Sequence, residues 1–264
     1  MKAKYKKFDS LLKPIPFLIK GKDASRLYKD IQKDDKFFQK YLGFLEYVEY
    51  SNEIRGSSPL RTGQINKIVA NSGLRVAVPG DDVNREVYNL IKGGFYAYID
   101  FNALSVYADM PLNKKNTSLW NKVTELAEEK QGRVKFPFMI QGFYIIPDGK
   151  HEKIIPASNF KIIEDERLSE KYNEWRFDHI DNYGIPNDLK KEKGFRVLRT
   201  RKDGLSRVFL NQKSVFSNKN SELNLSDDNL FVSNDRGRIV LVRDAKKPKK
   251  DKGKLERILK LNNF

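Results

Sequence analysis

Cysteine is absent from the 264 residues. That removes a disulfide framework, a thiolate metal site and a cysteine nucleophile together, and frees the chain from dependence on an oxidising compartment. Histidine is scarce, with only His151 and His179. The glycine patterns that cradle phosphates, G-x-x-x-x-G-K-S/T and G-x-G-x-x-G, are missing, and Gly93-Gly94 stands where a helix is expected to end. No G-x-S-x-G elbow supports a serine hydrolase. Long apolar runs are missing as well: "FPFMIQGFYIIP" falls short of the ~18 residues of a spanning helix, so a soluble protein without membrane contact is expected. The basic start "MKAKYKKFDSLLKPIPFLIKGK" has its apolar stretch broken by Lys13, Pro14 and Pro16 and lacks a small-residue cleavage site, which reads as an intracellular beginning.

What is present is a foldable, strongly basic chain. Hydrophobic content of 39% with 12% aromatics is enough for a real core, as one large domain or two smaller ones. Fifty-one Lys and Arg against 35 Asp and Glu give +16, enough to steer the protein toward polyanions. From Arg243 onward nine basic residues face three acids. Lysine exceeds arginine about two to one, a bias that an AT-rich genome also produces. Clustered arginine is therefore the more specific signal, because its fork matches phosphate and guanine.

The patterning predicts an α+β fold: a helical N-terminal part (1–55), a mixed α/β middle (56–132), a hairpin-rich antiparallel β part (133–243) and a basic C-terminal tail (244–264). Asp23 is placed to start a helix carrying Leu27 and Ile31. "DDKFFQKYLGFLEYVEY" sets Phe37, Phe38, Tyr41, Leu42, Phe44, Leu45 and Val48 at helical spacing. "SNEIRGSSPLRTG" reads as a linker. Beyond it come a helix in "QINKIVANSG", a strand in "LRVAVPG", a helix in "DDVNREVYNLIKGG", a strand in "FYAYIDF" and a helix in "NTSLWNKVTELAEEKQG" with Trp120, Val123, Leu126 and Ala127 on one face. Three hairpins are expected, in "FMIQGFYIIPDGKHEKIIP", "FRVLRTRKDGLSRVFL" and "NLFVSNDRGRIVLV". A short helix, "DERLSEKYNEW", and a long loop, "DHIDNYGIPNDLKKEKG", that reads as a projecting or functional arm lie between the first two.

Candidate chemistry is sparse. Asp109 with Glu128, Glu129 and Lys130 supplies the residue types of a metal-dependent nuclease. Glu128 and Lys130, however, fall two apart on a helix and so on different faces. No catalytic residues are assigned and no enzyme is expected. Asp178, His179 and Asp181 are metal-ligand types close in sequence, but no metal or other cofactor is assigned. The stronger signal is a basic β-ribbon for phosphates: Arg196, Arg199, Arg201, Lys202 and Arg207, joined by Arg236 and Arg238 and by the tail lysines Lys246, Lys247, Lys249 and Lys250. Charge guarding an exposed sheet edge explains the same residues. Phe37, Phe38, Tyr41, Phe44 and Leu45 form an aromatic face suited to core packing or to a subunit interface. Leu255, Ile258 and Leu259 suit a short docking helix behind a flexible tether, or a solvated end.

Two classes follow from these residues: a non-enzymatic assembly protein, and a nucleic-acid-binding or nucleic-acid-processing protein. In texture the stretch "FYIIPDGKHEKIIPASNFKIIEDERL" resembles virion proteins of large AT-rich tailed phages, such as the connector or neck-ring proteins of the crAss-like group. The resemblance implies a homo-oligomeric ring between portal and tail subunits, abutting a DNA passage, assembled in a host cytoplasm. It assigns no individual residue.

Overall fold

A computed structural model describes residues 15–38, 45–82, 86–91, 97–108, 110–148, 151–202, 204–212, 221–227 and 229–243. Among the described residues the chain is a mixed α/β protein built on one large sheet, a three-stranded small one and a two-stranded hairpin.

The small sheet is made by distant parts of the sequence. Strand β1 (Ile15–Leu18) pairs antiparallel with β13 (Val240–Arg243), and β13 pairs on its other side with β4 (Leu74–Val76). Helix α1 (Gly21–Phe38) shares its core. Ala24, Leu27 and Ile31, at three- and four-residue spacing, are buried with Val76, Ile239 and Leu241. The sequence predicts a helix running to Val48; α1 is described as far as Phe38, and residues 39–44 lie outside the described residues. Residues Glu46–Val48 form β2 instead, paired with β3 (Glu53–Arg55) around a turn in which Asn52 takes a left-handed conformation. "EYVEY" fits both periods over so short a run, and its aromatic and β-branched residues suit the strand.

The expected linker is the opposite of one. Residues 56–66 are buried throughout, because Ser58 caps helix α2 (Pro59–Val69) by accepting from the Arg61 N–H at 3.2 Å and Pro59 opens its first turn. The glycine here serves close approach. A Cβ at Gly63 would lie 2.5 Å from Ile145 Cγ1, so α2 rests directly on the main sheet. The short helix α3 (Glu86–Ile91) follows β4, and α4 (Thr117–Gln131) packs Leu119, Val123, Leu126 and Ala127 against a separate group of buried residues.

The main sheet runs β7-β6-β5-β10-β11-β9-β8, from β5 (Tyr98–Val106), β6 (Phe138–Asp148), β7 (His151–Glu164), β8 (Arg176–Phe177), β9 (Arg196–Arg199), β10 (Leu205–Gln212) and β11 (Ser221–Asp227); β12 (Gly237–Arg238) adds a short parallel pairing to β5. The first expected hairpin is present, with Asp148 opposite His151. The other two are not. β9 and β10 are separated by β11, which pairs parallel with β9, and the chain after β11 leaves for β12 and the small sheet. Turn chemistry specified a reversal of the chain but not the neighbour each strand would choose. The "DERLSEKYNEW" helix is replaced by two 3₁₀ turns, Glu166–Leu168 and Glu170–Tyr172.

Candidate functional site

The arginines selected from sequence divide sharply. Arg207 is 3% exposed and lies flat against Asp100, its Nε donating to Oδ1 at 2.7 Å and a terminal nitrogen to Oδ2; it also donates to the carbonyls of Val232 (2.9 Å) and Ser57 (3.3 Å). Arg196 is 1% exposed and bonded to Asp82, between the rings of Tyr88 and Phe177. Neither reaches solvent, so both are corrected from phosphate contacts to internal ties. Arg207 joins β5, β10, the 229–232 turn and the start of α2. Arg196 joins β9 to the 79–82 turn.

Around them the remaining candidates are partly engaged. Arg199 pairs with Glu174 and with Glu222 at 3.1 Å, Arg238 with Glu53 at 3.2 Å, and Arg201 donates to the Ser226 carbonyl at 3.4 Å. Lys202 is exposed, and so is Arg236 beside the 235–236 turn. Lys246, Lys247, Lys249 and Lys250, with Leu255, Ile258 and Leu259, lie outside the described residues, as do Tyr41 and Phe44. Phe37 and Phe38 fall on the last turn of α1, and Leu45 packs half-buried against the core of the small sheet. The chain enters the described fold at Ile15 and leaves it at Arg243, and these two residues are partners in the β1–β13 ladder.

The acidic candidates are held by the loop itself. Asp188 accepts from the Asp178 and His179 backbone N–H groups (3.1 and 3.0 Å) and meets His179 Nδ1 at 2.9 Å; burial pushes its carboxyl up, and the donors from His179 and Asp178 outweigh this and hold it below the usual range. Asp178 accepts from the Phe195 N–H, and Asp181 from the N–H groups of Tyr183 and Ile185 and from Arg167. Asp165 follows the same logic: burial raises it, and the side-chain and backbone donors of Arg167 lower it further. Among the described residues no three metal-ligating side chains converge. Asp109 is outside them. Glu128, Glu129 and Lys130 are exposed at the end of α4, where the hydrogen bond from Lys130 holds Glu129 below the ordinary carboxylate range.

Sequence reasoning missed two features. One is a buried amide network where β5 and β6 part. Gly142 takes φ +70 in a bulge, and the orphaned Phe143 N–H donates to Asn102 Oδ1 at 2.7 Å. Asn66 Nδ2 donates to the same oxygen (3.3 Å) and to the Phe143 carbonyl (3.1 Å), while its Oδ1 accepts from the Val76 N–H (2.9 Å). Asn66 thereby ties the small sheet to the large one. Beside it Ala70, Asn71, Gly73, Arg75, Tyr144, Ser158 and Asn159 line a shallow groove of about 190 Å³. Arg75 is already committed there, forked on Asp81 at 2.6 and 2.7 Å. The other missed feature is the outer face of α1, where Lys22, Arg26 and Lys29 stand exposed with no ion-pair partner among the described residues.

Fold and site together define a mixed α/β protein whose arginines are largely spent on internal pairing. Compared with known proteins, the chain matches no family model, no curated protein and no solved structure. Among the described residues no helix is long and apolar enough to cross a membrane.

Proposed function

We propose that this chain is a non-enzymatic assembly protein that joins copies of itself through the end of the main sheet where β5, β6 and β10 meet. The supporting observation is a group of large apolar side chains left in solvent there. Val106 pairs with Phe138 on one side and Leu205 on the other, and the segments leaving this end carry Met110 (49% exposed), Leu112 (64%) and Phe136 (37%). Lys114, Lys115, Arg133 and Lys135 are exposed in the same segments, so apolar and basic side chains share this end of the sheet, the mixture of residue types that an interface uses. In its finer form the reading is a ring subunit of a phage virion, a head-to-tail connector meeting portal or tail subunits. That form rests on the resemblance of residues 143–168, which span the β6–β7 hairpin.

Light scattering coupled to size exclusion tests the reading. The wild type should run as a discrete oligomer, and Met110→Asp with Leu112→Asp should reduce it to a monomer of unchanged circular dichroism. Rings in negative stain favour the connector form. A wild type that stays monomeric over a wide concentration range, alone and with portal or tail proteins, refutes self-assembly.

A further inference from the structure

The outer face of α1 supports a second inference, independent of the assembly reading. We infer that it is a phosphate-tracking ridge that binds the backbone of a nucleic-acid duplex without sequence preference. Lys22, Arg26, Lys29 and Lys33 follow one another at spacings of four, three and four residues, so they lie along one line of the helix surface. All four are exposed, and Lys20 is exposed just ahead of them. The line lies opposite the buried Ala24, Leu27 and Ile31, so packing of that face into the core turns it outward. Lys33 pairs with Asp30 at 2.6 Å, and both partners are substantially exposed; among the described residues Lys20, Lys22, Arg26 and Lys29 have no ion-pair partner.

Two features favour nucleic acid over an acidic protein. The row is one-dimensional: at 1.5 Å rise per residue it extends about 16 Å, comparable to the axial rise of some five successive phosphates on one strand. It also contains no exposed apolar side chain: besides the row, Gln32 is exposed and Asp30, the partner of Lys33, partly so. Protein interfaces draw most of their affinity from buried aromatic or Arg anchors in desolvated pockets, whereas phosphate contact needs only mobile cations and released counterions. The sequence preceding β1 adds five lysines against one acid.

Fluorescence anisotropy of the full chain with a labelled duplex of mixed sequence and about 30 base pairs, between about 50 and 200 mM salt, tests it. The variant Lys22→Glu/Arg26→Glu/Lys29→Glu should bind at least tenfold more weakly, and its plot of log affinity against log salt should be shallower by about 3, near 0.9 per lost contact. Lys130→Glu/Lys153→Glu/Lys193→Glu carries the same change in net charge on other exposed positions and should stay within about threefold of wild type. An unchanged melting curve for the α1 variant separates lost contact from lost fold. Equal weakening by the two variants would assign the binding to net charge. No duplex binding by the wild type, or tighter binding to polyglutamate than to duplex, would overturn the inference. Because the readout is binding and not oligomeric state, it fails or succeeds separately from the assembly reading.

Discussion

Arg207 shows what a residue's neighbours in sequence conceal. It sits in a run of basic residues that reads as a phosphate ribbon, yet its partner Asp100 is 107 positions away and fully buried. Charge in a sequence is visible, but the burial that decides whether the charge meets solvent is not. Removing one member of this pair strands the other in the core, so Asp100→Leu or Arg207→Met alone should cost about 3–5 kcal/mol in urea titrations. The double substitution removes both charges and should recover at least half of that loss. If the two single costs simply add, the pair is not the coupled unit described. Asp165 and Asp188 give a pH prediction of definite sign. Both carboxyls titrate below their usual values, so their contribution is present above the unfolded value of about 4 and is lost as pH falls through the lower folded value. Asp165→Asn should therefore flatten the fall in stability on acidification below about pH 4 and leave the curve's shape near neutrality unchanged.

At the scale of elements, what was legible depended on whether the partner is local. The β6–β7 hairpin is specified by its own Pro-Asp-Gly turn, and α4 by its own apolar face, and both stand as read. β9, β10 and β11 chose partners by burial across the sheet, which no turn signal encodes. The basic row on α1 is legible from its spacing, but that it faces outward follows from the burial of Ala24, Leu27 and Ile31 on the opposite side. The 178–195 segment has the length of an arm but is clasped to the body. Ile180 and Ile185 are buried, and Gly184, at φ +80, lies so close to Pro79 that an added Cβ would sit 2.2 Å from its Cβ. Gly184→Ala meets both the left-handed backbone penalty and that clash, and should destabilise by about 2–3 kcal/mol. Limited proteolysis should show faster cutting near Lys190–Lys193 before global unfolding. Unchanged cutting would mean that the clasp does not hold the loop.

Across the whole molecule, the segments drawn from sequence are interwoven. β5, from the middle segment, lies between β6 and β10, and β1, from the first, pairs with β13 at the end of the third. Three further ties cross the same seams. Asn66 on α2 bonds to Val76 in the small sheet and to Asn102 and Phe143 in the large one; Ser57 accepts from Arg207; and the Gly56 N–H donates to the Gly237 carbonyl at 3.0 Å. A body joined in this way has no boundary at which one part can open while the other keeps its core, so unfolding should be a single transition. Differential scanning calorimetry should give a van't Hoff enthalpy equal to the calorimetric one, and a chain beginning at residue 56, which lacks β1 and α1, should not fold. That chain would leave β13 with one neighbour and open the core that Val76, Ile239 and Leu241 share with α1. Two resolved transitions, or a folded fragment 56–243, would show instead that the small sheet is an appendage and that the main sheet carries its own stability.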